Sequence, residues 1–294
     1  MKNSKIDVHE YLKNAARLTD RKLEELLPPE DTKPASIHSV MRYSIFAGGK
    51  RIRPALVLAA HEACGGATGD SRAALAGAAL EMLHTFSLIH DDLPCMDDDD
   101  FRRGRPTAHR AFNEAIAVLG GDALCIFAFE VLSDLGNCML IKEIAQALGT
   151  GGMIGGQVVD IESEGQVVDR EVVEYIHHNK TAALLRAAVR TGAILADASS
   201  TTLEALSSYG MRIGLAFQVV DDILDEEGTT EQLGKDAGSD RERGKATFPA
   251  VSGMEESKRY ACQLVEAATK DIAFLGDKGA VLTALAEYIR TRIS

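Results

Sequence analysis

Positive charge is what this chain is short of. Its 294 residues hold 32 Lys and Arg against 44 Asp and Glu, a formal net charge of -12. That balance argues against a nucleic-acid binder, which carries a basic footprint. An anionic small ligand stays open, because a local cationic cluster or a bound cation reverses the local field. Cysteine is sparse too. Cys64, Cys95, Cys125, Cys138 and Cys262 form no CxxC pair. Neither a disulfide framework nor a cysteine zinc site is expected, and the setting is reduced. Residues 1–10 have no apolar core, so no signal peptide is expected. No uninterrupted apolar run reaches the roughly 18–20 residues of a bilayer span. A cytoplasmic protein is expected. Prolines number only 7, aromatics make up 5%, and no stretch alternates as a strand does.

What is present is helical. Hydrophobic residues at 46% and charged residues at 26% are the proportions of a globular protein. Leu203, Leu206, Gly210, Ile213, Phe217, Val220 and Leu224 are spaced 3 or 4 apart, one face of a helix. Leu75, Ala79, Met82, Phe86, Ile89 and Leu93 form a second such series. Breaks fall at Pro28-Pro29, Gly48-Gly49, Gly65-Gly66, Gly104–Pro106, Gly151–Gly156 and from Gly228 to Gly244. No change of composition marks a linker, so one all-α domain over residues 1–294 is expected. The polar stretch Glu226–Ala246 reads as a mobile lid or as a solvated connection.

Two acidic clusters carry chemistry. Asp91 and Asp92 close the second apolar series, Pro94 stops the helix, and Asp97 returns from the loop. Carboxylates are unfavourable at a helix C-terminus, which calls for a compensating cation. A solvated acidic turn is the plain alternative. In the other cluster Gly214, Gln218, Asp221 and Asp225 form a polar stripe about 100° from the apolar face. Crowded carboxylates repel unless a hard cation such as Mg²⁺ binds them, with substrate phosphates filling its shell. Here the alternative is a solvated helix end. Two similar clusters on separate helices can face one cavity. Cations sit in Gly48-Gly49-Lys50-Arg51-Ile52-Arg53-Pro54, between two helices, where backbone N–H groups add to an anion site. Arg102-Arg103-Gly104-Arg105-Pro106 follows the first acidic run, and His84 shares a helix side with Asp91. A surface loop and a structural histidine are the respective alternatives.

Phe86-Ser87-Leu88-Ile89-His90-Asp91-Asp92-Leu93-Pro94-Cys95-Met96-Asp97 followed by Arg102-Arg103-Gly104 resembles the first aspartate-rich motif of trans-isoprenyl diphosphate synthases. Gln218-Val219-Val220-Asp221-Asp222-Ile223-Leu224-Asp225 resembles the second. Gly48–Pro54, Gly156-Gln157-Val158-Val159-Asp160 and Lys180-Thr181 are similar to further segments of that family, in the same order. The resemblance implies a bundle of long helices around a deep cavity, paired as a homodimer. It implies about three Mg²⁺ ions held by Asp91, Asp92, Asp97, Asp221 and Asp225. It assigns Arg102, Lys180, Thr181, Gln218, Lys235 and Lys245 to the allylic diphosphate. Lys50, Arg53, His84 and Arg103 go to isopentenyl diphosphate, and Arg51 to a structural or secondary contact.

The implied reaction is head-to-tail condensation of isopentenyl diphosphate with dimethylallyl or geranyl diphosphate. The allylic C–O bond ionises, the second double bond attacks, and a proton leaves. Thr181 and Gln218 would flank the cation. In the family, bulk before the first motif floors the tail pocket. Phe86, with Ser87 beside it, therefore favours a C15 product, farnesyl diphosphate. The alternative is C20, geranylgeranyl diphosphate, because the motif with Cys95 is also similar to plant-type synthases. Phe86 as plain helix packing is the other reading. A regulatory subunit or a terpene cyclase of the same fold lacks one or the other Asp motif. A His-Asp phosphohydrolase would need metal ligands that His177-His178 does not supply.

Overall fold

The computed structural model describes residues 6–227 and 244–292. Lys235 and most of the polar stretch after Glu226 lie outside them. In order, the helices are α1 (Val8–Leu26), α2 (Ala35–Ile45), α3 (Ile52–Ala63), α4 (Ser71–Asp91), α5 (Ala108–Ala111), α6 (Glu114–Ser133), α7 (Cys138–Leu148), α8 (Met153–Ser163), α9 (Arg170–Ile176), α10 (Ala183–Leu195), α11 (Ser200–Glu227), α12 (Phe248–Ser252), α13 (Met254–Asp271) and α14 (Ala280–Thr291). A π-helical turn, His177–Ala182, joins α9 to α10, and a 3₁₀ segment, Ala273–Gly279, precedes α14. Between α4 and α5 the hairpin β1 (Phe101–Arg102) and β2 (Arg105–Pro106) pairs antiparallel, with Phe101 opposite Pro106. It is the only sheet among the described residues.

Helix starts follow from local sequence. Asp7, Asp70, Asn113, Asn137 and Asp169 each cap a helix by accepting from its first backbone N–H groups. Small apolar residues then let helices pack closely. α3 and α10 bury about three quarters of their residues, and α4 buries 13 of its 21. α10 lies between α3 and α11, α4 between α3 and α6, and α13 packs along α11. Both apolar series fall on helices, α11 and α4, as their spacing predicts. The hydroxyl of buried Tyr209 on α11 donates to the Leu282 carbonyl on α14 at 2.7 Å. That bond fixes the last helix against the helix of the second acidic cluster.

α4 (21 residues) and α6 (20 residues) have the length and hydropathy of a bilayer span. A search for runs without any charge misses them. α4 spends that hydropathy inside the protein, its apolar window being 72% buried, while the window of α6 is 39% buried. Val118, Leu119 and Ile126 of α6 stand exposed as a result.

Candidate active site

One cavity of about 800 Å³ opens between α4, α8, the π turn and α11. α4 ends at Asp91, and the chain turns back at once. The Asp97 N–H donates to the Asp91 carbonyl at 2.8 Å, and the Asp98 N–H to the Leu93 carbonyl at 3.0 Å. The tight turn holds Asp97 beside Asp91 at the cavity mouth. The cation demanded by carboxylates at a helix C-terminus is supplied several times over. Arg102 pairs with Asp92 at 2.6 Å, and Lys245 with Asp97 at 3.1 Å. Burial pushes the Asp91 carboxyl above its usual range; Lys180 opposes the shift and Asp97 adds to it. Burial also pushes Asp92 up to about 6, against the pull of Arg102.

The opposite wall is α11 with the π turn. Gln218 and Asp221 face the cavity. Asp221 pairs with Arg292, one residue beyond α14, at 2.7 Å. Asp222 is spent on structure. It accepts from the Gln218 side-chain amide at 3.0 Å and from the Phe248 N–H at 2.8 Å. His177 Nε2 lies 3.0 Å from its second oxygen. Asp222 thereby ties α11 to the π turn and to the segment that carries Lys245. It also orients Gln218, whose Oε1 accepts from the Thr181 hydroxyl at 2.8 Å. Asp225 is buried and lines a separate cleft of about 300 Å³ with Glu226, Lys245 and Thr247. The structure does not bring it to the main cavity.

The π turn sets Lys180 and Thr181 on the cavity side, a use common for such turns at functional sites. Two glycines allow it. A Cβ at Gly156 would run into the Lys180 backbone, and one at Gly214 into Ala182, so α8 and α11 could not close on the turn. One helical turn past Gly156, Asp160 pairs with Lys180 at 2.6 Å. Gly156 and Asp160 thus act as a unit.

The basic loop divides into parts. Arg51, left-handed at φ 49, is buried and structural. It donates to the Ile45 carbonyl at 2.7 Å and to Asp20 and Glu81, each at 2.9 Å. Arg53, His84 and Arg103 line the cavity. Burial pushes the Arg53 guanidinium down to about 10 but leaves it charged at neutral pH. Burial and then the charge of Arg53 hold His84 well below its usual range, so it is neutral. Glu81 is the buried counter-charge beneath these cations. Lys50 is exposed, with its ammonium 6.0 Å from the Tyr288 ring centre, and is not on the cavity wall.

Phe86 and Ser87 also line the cavity. The Phe86 ring stands edge-on to His90 with centroids 5.7 Å apart. The Ser87 hydroxyl donates back to the His84 carbonyl at 2.8 Å. Beyond them the wall is apolar, with Val118, Met153, Ile154, Val158 and Ile161. Sequence reasoning gave no role to Asp160, His177, Glu81 or Arg292. The first stands in a quoted segment and was open to an i,i+4 argument from Gly156. Nothing local marks the other three.

Among the described residues no three His, Cys, Asp or Glu side chains already stand as a metal site. The donor set nevertheless suits a hard cation. Oxygen donors come from two walls, and each of Asp92, Asp97 and Asp221 is now neutralised by a cation of the chain itself. Fold and site together define an all-helical protein whose one large cavity is bordered by two carboxylate walls and a set of cationic side chains.

The chain belongs to the polyprenyl synthetase family, whose model matches residues 34–284. The chloroplastic heterodimeric geranylgeranyl pyrophosphate synthase large subunit 1 of Arabidopsis thaliana is 47% identical, over 98% of this chain and 80% of its own length. An FPP/GFPP synthase from Zymomonas mobilis has the same fold at a TM-score of 0.85, with 35% identity over 97% of this chain and 99% of that one. A polyprenyl synthase from Caulobacter crescentus, solved with calcium and isoprenyl diphosphate, matches at a TM-score of 0.87, with 27% identity over 100% of both chains.

Asp222 on α11 should respond differently from Asp91 on α4. Asp222→Asn puts a donor against donors and should destabilise the fold by about 1–3 kcal/mol in urea denaturation. Asp91→Asn removes a charge that burial disfavours and should leave the metal-free midpoint unchanged or higher. Equal losses would mean that both carboxylates serve structure.

Proposed function

We propose that this protein lengthens allylic diphosphates by head-to-tail addition of isopentenyl diphosphate and releases an all-trans C20 product, geranylgeranyl diphosphate. The carrying observation is the pair of carboxylate walls around one cavity that turns apolar away from its mouth. Arg102, Lys180 and Lys245 are the cations for the allylic diphosphate, and Lys235 belongs with them by motif. Arg53, Arg103 and neutral His84 take the isopentenyl diphosphate, with Lys50 at the rim. Asp91, Asp97 and Asp221 would hold Mg²⁺, about three ions with the diphosphate oxygens included, while Asp92 stays with Arg102. Bound Mg²⁺ neutralises the charge that collects on the leaving diphosphate.

The protein's own part is positional and electrostatic. Fixed cations stabilise the departing charge without reorganising. The hydroxyl of Thr181 and the Gln218 carbonyl oxygen present electron density to the allylic cation. Gln218 cannot turn its amide freely, because Asp222 holds the nitrogen end. The apolar wall excludes the water that would quench the cation. The released diphosphate takes the final proton.

The C20 reading replaces the C15 expectation built on Phe86. Support comes from the geranylgeranyl synthase relative at 47% identity. It also comes from the packing of Phe86 on His90 and the apolar wall that continues to Val158 and Ile161. We further propose that two copies pair over the apolar face of α6. A helix of that hydropathy with Ile126 70% exposed has the character of an obligate interface.

Three outcomes are expected. Purified protein given Mg²⁺, labelled isopentenyl diphosphate and dimethylallyl, geranyl or farnesyl diphosphate should make C20 and stop, and a chelator should abolish the product. A C15 endpoint would restore the farnesyl reading, and no elongation would remove the proposal. Asp91→Ala or Asp221→Ala should lower turnover by about 10³-fold or more with folding intact. Finally, light scattering should give twice the chain mass, and Ile126→Glu should halve it. A wild-type monomer would refute the pairing.

A further inference from the structure

Arg292 stands outside every motif discussed above. It lies one residue past α14, where its backbone N–H caps the helix by donating to the Ile289 and Arg290 carbonyls. α14 itself is tied to α11 by Tyr209, so its end is held at the cavity. The guanidinium lies flat against Phe217, 5.0 Å from the ring centre, and reaches Asp221 at 2.7 Å. Phe217 and Asp221 are i,i+4 neighbours on α11, so one face of that helix makes both contacts.

The neighbourhood is otherwise repulsive. Lys50 feels the charge of Arg292, and Arg53 lines the same cavity. Asp221 is the one carboxylate that pairs with Arg292 among the described residues. The guanidinium therefore sets positive charge directly against Asp221, within the wider field of Lys50 and Arg53. A cation of the chain and a divalent ion repel each other at one carboxylate, so each weakens the hold of the other there.

We propose that Arg292 is a C-terminal counter-ion that competes with the divalent cation for Asp221 and must leave Asp221 before the second carboxylate wall can take metal. The proposal rests on the reading of Asp221 as a metal ligand, and it sets the cation concentration at which the site fills. Arg292 can leave without unwinding α14, because it follows the last helical residue. Once Asp221 is taken, the repulsion of Lys50 and Arg53 favours its departure.

The test is Mn²⁺ binding to the full-length protein, read as the fall in free Mn²⁺ signal by electron paramagnetic resonance, with no substrate present. Arg292→Gln should bind Mn²⁺ about three- to tenfold more tightly than wild type, and Arg292→Lys should lie between them. In an Asp221→Asn background the gain should vanish, which separates competition for Asp221 from a general loss of positive charge. Arg290→Gln, on the outer side of α14 and paired with Glu287, should bind as wild type does. Equal affinities for wild type and Arg292→Gln, a weaker variant, no binding to either, or a gain that persists without Asp221 would each overturn the proposal. The elongation assay on wild type tests the proposed reaction separately, so either can fail alone.

Discussion

The site is governed by one constraint: carboxylates crowded in a low-dielectric cavity cannot stay charged together without cations among them. The chain meets it from within. Arg102 answers Asp92, Lys245 answers Asp97, Lys180 answers Asp160 and Arg292 answers Asp221. These cations come from a hairpin, from the segment before α12, from the π turn and from the chain's last helix. Each ion pair therefore fastens a different part of the chain to the cavity rim. The site's electrostatics and the closure of the bundle around it are one arrangement.

Holding that arrangement requires close helix approach. Gly156 and Gly214 let α8 and α11 press on the π turn from two sides. The extra residue in a π turn widens the helix just where Lys180 and Thr181 must reach the cavity. Asp222 then locks the same turn through His177 and holds Phe248 in place. The neighbouring Asp221 faces the cavity and Arg292. Adjacent aspartates differ in role because successive residues on a helix point about 100° apart.

That angle also explains how much was legible in the sequence. The spacing of Leu203 to Leu224 defines a helix and its buried face, and the structure agrees. Both Asp clusters and the basic loop were visible as chemistry, and Arg51 as a structural or secondary contact. Periodicity does not say what lies opposite a stripe. Asp225 shares a side with Asp221 on paper, yet it ends in a separate cleft because the packing around the end of α11 differs from that at its middle. Lys50 sits in a motif whose neighbours reach the cavity, but the left-handed turn at Arg51 sends it toward Tyr288. Arg292 and Glu81 were invisible because their partners are 71 and 30 residues away. α6 was missed as a long apolar helix because Glu114, Asp122 and Glu130 interrupt the run, the last two on the same outward face as Ile126.

The same reasoning limits what a single residue says about product length. Phe86 looks like a floor when only its distance from Asp91 is known. In the fold its ring packs edge-on to His90, the residue next to Asp91 on the same helix. The same ring also lines the cavity. The space for a growing chain is set jointly by α4, α6 and α8, through Phe86, Val118, Ile154, Val158 and Ile161. Of these, Val118, Ile154, Val158 and Ile161 are exposed on the isolated chain. The cavity wall on that side is therefore built from side chains that also meet the surface of the chain.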